Sequence, residues 1–454
     1  MPLEIIVLAA GQGTRMKSSL PKVLHPMAGR PLLQHVVDTA LALEPSAVHV
    51  VVGHGGNEVR KSLSDYPLKW VEQREQLGTG HAVMQALPHV GEQSTVLVLY
   101  GDVPLIRQST LEALVSLAGT GIALLTARVK DPAGYGRILR DEVGLLRGVV
   151  EHKDATTEQL AIDEINSGVM AAPAAELRSY LPAVGNDNSQ GEYYLPDVLS
   201  LAVREGKTVQ SCLANSELEI LGVNDRLQLN QVEREFQRRQ GEQLLLDGVS
   251  VADIDRLDVR GRLTAGRDVM IDVNTVFEGE VVLEDGVCIG PNCVLKNVTV
   301  GAGAEIHAMS HLEDARVGAN CSVGPYARLR PGTELATGAR IGNFVETKKA
   351  VIGEGSKVNH LSYIGDCDMG AGVNIGAGTI TCNYDGANKH KTEMGDNVFV
   401  GSNSTLVAPL KIDSDGFVGA GSTVTRAVEK GDLAVSRARQ RNIKGWQRPV
   451  KEED

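Results

Sequence analysis

From residue 271 onward, apolar side chains recur every six positions. Ile271, Phe277, Leu283, Ile289 and Leu295 form one unbroken series. After a slip of one residue come Val300, Ile306 and Leu312, then Val317, Val323, Leu329, Leu335 and Ile341. The series resumes at Ile352, Val358 and Ile364, and again at Met394, Val400, Leu406, Ile412, Val418 and Val424. This is the hexapeptide pattern of a parallel β-helix, in which one side chain per face points inward and stacks on the coil above. Glycine or another small or acidic residue commonly follows each apolar one, as in VGANCS, IGEGSK and VGSNST, which accounts for 50 glycines and an aromatic share of only 4%. The break between Ile364 and Met394 contains TCNYDGANKHKT, polar and basic. Insertions in a solenoid map to loops on one face, often the binding face.

The first half is built differently. EIIVLAA, PLLQHVVDTALAL, AVHVVVG, GTGHAVMQAL and TVLVLYGD alternate short apolar strands with helical patterns, so the expectation is an α/β domain with a doubly wound, mostly parallel sheet. A chain of 454 residues is too long for one core. DRLQLNQVEREFQRRQGEQLLL carries both charge signs at helical spacing and reads as an exposed joining helix. The expected division is 1–226, a linker helix over 227–247, and a β-helix domain with a C-terminal tail over 248–454.

Between the first strand and the first long helix lies LAAGQGTRMKSSLPK. Gly11 and Gly13 are followed by Thr14, Arg15 and Met16, which excludes the dinucleotide fingerprint, and no Gly-Lys-Ser/Thr triplet makes a P-loop. What remains is exposed backbone NH groups with Arg15 and Lys22, at the carboxyl end of a strand, suited to a polyphosphate. A net charge of −12 argues against a nucleic-acid footprint, so any phosphate site must be made of a few placed cations. No stretch has the pattern of a signal peptide or the roughly 18 apolar residues of a membrane span, and insertion into a membrane is not expected. Six scattered cysteines read as free thiols of a reducing compartment, and a cytoplasmic protein is expected.

G-x-G-T-R-M with Pro21 and Lys22, joined on one chain to repeats containing VNHLSYIGD and TCNYDGANKHKT, resembles the bifunctional enzymes of UDP-N-acetylglucosamine synthesis, which serve peptidoglycan and lipopolysaccharide formation. The likeness covers nearly the whole chain. It implies an N-terminal N-acetylglucosamine-1-phosphate uridylyltransferase, a C-terminal left-handed β-helix acting as a glucosamine-1-phosphate acetyltransferase, and a homotrimer formed through the β-helix. The implied co-substrates are UTP and acetyl-CoA, with Mg²⁺ for uridylyl transfer.

Joining two phosphorylated substrates brings anions together and calls for a metal. Asp102, a carboxylate ending a buried strand, is placed to hold Mg²⁺ with few protein ligands. By resemblance alone, Asn224 is the second metal ligand. The resemblance also implies nucleotide and sugar contacts at Leu8, Ala9, Ala10, Gly11, Gln73, Gln76, Gly78, Thr79, Tyr100, Gly101, Asp102, Gly136, Glu151, Asn166 and Asn224, with Arg15 and Lys22 on the phosphates. In the second half, an ammonium has no lone pair with which to attack a thioester, so acetyl transfer needs a base. His360 is the candidate, because an imidazole titrates near neutrality. Arg330, Lys348, Tyr363, Asn374 and Lys389 match positions used for glucosamine-1-phosphate. Ala377, Asn383, Tyr384, Ser402, Ala420 and Arg437 match positions used for acetyl-CoA. Two alternatives stand beside this reading: a monofunctional nucleotidyltransferase whose β-helix only oligomerises, and a non-catalytic sugar-nucleotide sensor.

Overall fold

The run EIIVLAA becomes the strand Leu3–Ala9, and its β-branched side chains are buried on both faces. Ile5, Val7 and Ala9 join a core on one side of the sheet, Ile6 and Leu8 a second core on the other. Such two-sided burial requires helices on both faces. The computed structural model describes residues 1–11 and 13–451. Gln12, the middle residue of the glycine loop, lies outside them. The chain divides into two units, Met1–Phe236 and Gln237–Asp454.

The first unit holds a nine-stranded sheet whose main path runs Val209–Leu213, Ile122–Arg128, Glu164–Pro173, Thr95–Tyr100, Leu3–Ala9, Ala47–Val52, Lys69–Glu72. Along that path only Glu164–Pro173 is antiparallel to its neighbours. From Leu3–Ala9 the chain goes first to Ala47–Val52 on one side and later returns to Thr95–Tyr100 on the other. That reversal opens a crevice beyond the carboxyl ends of these strands, where ligands of doubly wound sheets bind. The helix Arg226–Leu246 follows, and the cut between the units falls inside it.

The second unit is a left-handed parallel β-helix built of two long sheets, of 11 and 13 strands, paired coil on coil. All 22 side chains of the six-residue series are at most 5% exposed, and each buried Val, Leu or Ile contributes roughly 1.5–3 kcal/mol relative to exposure. Against the sequence reading, the series does not stop at Ile364. Met369 and Ile375 carry it on inside the core, and Thr381 is also buried. Threonine and a changed step hid it: Thr333 and Thr347 likewise take inward places and satisfy each other's hydroxyls at 3.0 Å. The true insertion is therefore shorter, a turn in which Tyr384 bridges Lys389 before strand pairing resumes at Thr392–Met394.

The corners of the coils take left-handed residues, and one column of them is unusual. Asn274, Asn292 and Asn403 take that conformation, as expected of asparagine, but Met309, Tyr326, Phe344 and Leu361 take it as well (φ 51° to 61° for these four). They are between 47% and 63% exposed, and the rings of Tyr326 and Phe344 stack at 5.2 Å.

Candidate active sites

The crevice of the first unit is a cavity of about 220 Å³. Leu8, Ala9, Ala10 and Gly11 reach it from the end of one strand and Tyr100 and Asp102 from the end of the next; Gln73, Gln76 and Gly78 come from the segment before the helix Thr79–Ala86, Thr79 from its first position, and Lys22 from a short 3₁₀ turn. Gly101 stands between two lining residues, and its NH donates to the carbonyl of Leu8 at 2.9 Å. Gln73 is held by donating to the carbonyl of Gly78 at 3.2 Å and pairing with Nδ1 of His81 at 3.0 Å. Arg15 stands apart, exposed on the turn Thr14–Met16, and is not among the described residues lining the cavity.

At the rim, the Lys22 ammonium forms an ion pair with Asp102 and donates to Oδ1 of Asn224 at 3.2 Å. Sequence spacing gave no hint of this pairing. The NH of Val223 donates to the carbonyl of Asp102 at 2.9 Å, which ties the two segments together. The Asn224 amide nitrogen donates to the Gly222 carbonyl at 3.2 Å, which turns Oδ1 toward the cation. Two oxygens, one of them a carboxylate, thus converge on a positive charge. Among the described residues no cluster of three or more His, Cys, Asp or Glu could hold a metal. That donor set fits a hard cation whose remaining ligands are water and substrate phosphate.

Gly136, Glu151 and Asn166 form a second group. The NH of Asn166 donates to the carbonyl of Gly136 at 2.9 Å, and Glu151 lies so close over Gly136 that a β-carbon there would meet Oε1 at 3.0 Å. Burial, then the charges of Asp197 and Asp154, push the Glu151 carboxyl up. Tyr100 links this group to the cavity: burial, outweighing its hydrogen bond with Thr79 and assisted by the charges of Asp102 and Glu151, raises its phenol. The sequence reading missed Val23, Ala82 and Glu192, which also line the cavity. Glu192 belongs to an irregular segment whose neighbour Tyr193 pairs by backbone with Leu77 and Gly80, a contact no periodicity announces.

In the β-helix, Arg330, Lys348 and Tyr363 lie on or just beyond successive coils of the 13-stranded sheet. Lys348 is held below the usual lysine range by the charges of Lys389 and then Arg330. Three cations therefore crowd together, and one carboxylate answers them: Arg330 donates to Oε1 of Glu346 at 2.7 Å. Like charges gathered in an acidic chain are suited to an anion. Glu346 was not anticipated, although it shares the outward face of one strand with Lys348 while Thr347 points inward. Lys389 is presented by the insertion, where Asp385 accepts from the NH groups of Ala387 and Asn388 and from His390 at 2.7 Å.

His360 ends the strand Lys357–His360 of the other sheet, at the corner that leads to Tyr363, and Asn374 lies one coil on in register with Lys357. Of the remaining predicted contacts, Asn383 donates to Oδ2 of Asp366 at 2.5 Å and Tyr384 is exposed. Ala377, Ser402 and Ala420 stack at one corner: their carbonyls accept from Asn403, Gly421 and Arg437 at 2.7, 2.8 and 2.5 Å.

Fold and clusters together define the class: an α/β nucleotidyltransferase joined to a hexapeptide-repeat acyltransferase. Residues 5–161 match the MobA-like NTP transferase domain family. Across 451 residues the chain is 58% identical to the bifunctional protein GlmU of Marinobacter nauticus, covering 99% of both chains. It is 55% identical over 452 residues to that of Alkalilimnicola ehrlichii, covering 100% of this chain and 98% of the other. It is 56% identical over 449 residues to that of Chromobacterium violaceum, with 99% of each covered. The chain belongs to the bifunctional GlmU family, and it is a transferase with acetyltransferase and uridylyltransferase activities.

Proposed function

We propose that the β-helix acetylates glucosamine-1-phosphate with acetyl-CoA and that the first unit then transfers UMP from UTP to the N-acetylglucosamine-1-phosphate formed, giving UDP-N-acetylglucosamine and pyrophosphate. The functional division is 1–226 and 248–454, with 227–247 as linker. The observation that carries this reading is the meeting of Arg330, Lys348 and Lys389, because a β-helix serving only for oligomerisation has no use for three crowded cations.

In uridylyl transfer, the sugar phosphate oxygen attacks the α-phosphorus of UTP and pyrophosphate leaves. The backbone of residues 8 to 11 receives the nucleotide, with Gln73 and Gln76 available to match the donors and acceptors of uracil. Lys22 and Arg15 offset the phosphate charge, and Gly136, Glu151 and Asn166 hold the sugar. Asp102 and Asn224 would hold Mg²⁺, which when bound supplies charge neutralisation for the triphosphate. The rest is positioning.

In acetyl transfer, Arg330, Lys348 and Lys389 seat the phosphate, and Tyr363 and Asn374 contact the sugar. His360 takes the proton from the attacking nitrogen. Acetyl-CoA lies along the corner of Ala377, Ser402 and Ala420, with Asn383, Tyr384 and Arg437 at its sides. A homotrimer through the β-helix is supported by the exposed column Met309, Tyr326, Phe344 and Leu361. Each of these bulky residues sits in a left-handed conformation costing roughly 1–2 kcal/mol, and an exposed apolar stripe of this kind is suited to burial against another copy. Among the described residues no helix is long and apolar enough to cross a membrane. Free thiols at all six cysteines suit the reducing cytoplasm.

The test is to incubate the protein with glucosamine-1-phosphate, acetyl-CoA, UTP and Mg²⁺ and to identify products by mass. UDP-N-acetylglucosamine, free coenzyme A and pyrophosphate are expected. Pyrophosphate release that requires N-acetylglucosamine-1-phosphate to be supplied ready-made would reduce the protein to a nucleotidyltransferase.

A further inference from the structure

A general base must present a lone pair to the proton it takes. A neutral imidazole has only one, on whichever ring nitrogen carries no hydrogen. Which nitrogen that is depends on the partner of the other. In this β-helix the partner is Asn343: its Oδ1 stands 2.7 Å from Nδ1 of His360. An amide oxygen accepts and cannot donate, so Nδ1 carries the hydrogen and the lone pair is left on Nε2.

Asn343 is held rigidly for this. It lies directly opposite His360 in the parallel pairing of Arg340–Asn343 with Lys357–His360. The coils approach so closely there that a β-carbon on Gly342 would stand 1.9 Å from the carbonyl oxygen of Asn359, which only glycine permits. The backbone of Asn343 accepts from the NH of Leu361 at 3.1 Å, and the hydroxyl of Ser362 donates to the carbonyl of His360 at 2.8 Å. Both ends of the contact are therefore fixed from the main chain, as a positioning group requires.

We infer that Asn343 is a positioning residue of acetyl transfer, holding the His360 ring and fixing the tautomer that bares Nε2 toward the substrate amine. This rests on the assignment of His360 as base. In the step, the glucosamine nitrogen bonds to the thioester carbonyl carbon while its proton passes to Nε2. The C–S bond breaks, and the departing thiolate takes that proton, so amine and thioester become amide and thiol.

Three variants of the full chain test it. Asn343→Ala should lower kcat of acetyl transfer about 10- to 100-fold with little change in KM for glucosamine-1-phosphate or acetyl-CoA, since phosphate and coenzyme are held elsewhere. Asn343→Asp, an acceptor at the same place, should restore kcat to within a few-fold. ¹⁵N shifts of labelled histidine in the wild type should show Nε2 of His360 without a hydrogen, and a mixture of tautomers in Asn343→Ala. A wild-type rate for Asn343→Ala alongside a crippled His360→Ala would overturn the positioning role and spare the base. An Nε2–H tautomer in the wild type would overturn it too. A wild-type rate for His360→Ala would overturn both.

Discussion

In the first unit, the residues that meet at the cavity rim are remote in sequence: Lys22 reaches Asp102 across 80 positions and Asn224 across 202. In the second, the contacts recur one coil at a time. Asn343 meets His360 and Asp366 meets Asn383 across 17 positions, and Arg330 meets Glu346 across 16. A doubly wound sheet gathers its site by topology, because loops from separate strands end at the same edge. A solenoid gathers its site by period, because every coil passes the same corner again. The two should therefore fail independently when damaged.

The severest break is Asp102→Ala. With the only carboxylate of the rim pair gone, Mg²⁺-dependent pyrophosphate release should fall by about 10³ or more, while coenzyme A release from the β-helix stays at its wild-type rate. Loss of both activities in a folded protein would mean that the sites are not separate. His360→Ala makes the reciprocal cut: on the order of 10² to 10⁴ in kcat of acetyl transfer, with uridylyl transfer untouched. Its residual activity should rise with pH as more amine arrives already neutral.

A smaller effect tests the second unit's assembly. Phe344→Glu should weaken subunit association by roughly tenfold or more, since a like charge is placed on each copy at an apolar contact. Sedimentation would show a lighter species with acetyl transfer reduced and uridylyl transfer retained. An unchanged mass would remove this column from the interface.

The mildest concerns Lys348. Neighbouring cations disfavour its protonated form, and a bound phosphate favours it. Binding of glucosamine-1-phosphate should therefore take up protons and weaken a few-fold as pH rises toward and through this lowered pKa. Calorimetry in buffers of different ionisation enthalpy measures the uptake. In Lys389→Ala the decline should move to higher pH. Affinity that stays flat well into the usual lysine range would show that the three cations do not act as one site.

The same contrast explains what could be read in advance. The six-residue period revealed the β-helix directly, because each inward position is a separate demand for an apolar side chain. It failed where Thr347 and Thr381 met that demand with satisfied hydroxyls and where the step shortened to five before Met369. Alternating strands and helices gave the class of the first unit, and the end of TVLVLYGD gave Asp102. Nothing local could pair Asp102 with Asn224, nor bring Glu192 to the cavity, because those contacts are made by chain crossings that leave no periodic trace. Asn343 and Glu346 were in principle legible, each one coil from its partner, but an outward position tolerates any polar residue and so carries little signal.

The stacking of coils also bears on how the second unit opens. Each coil is bonded only to the one before and the one after, so unzipping begins at the ends of the stack and must travel inward. The coils that carry Arg330, Lys348, His360 and Ser402 have further coils on both sides. Amide protons there should be the last of the β-helix to exchange with solvent, and fraying at Leu433–Ala434 should leave the chemistry intact long after the terminal coil has begun to loosen.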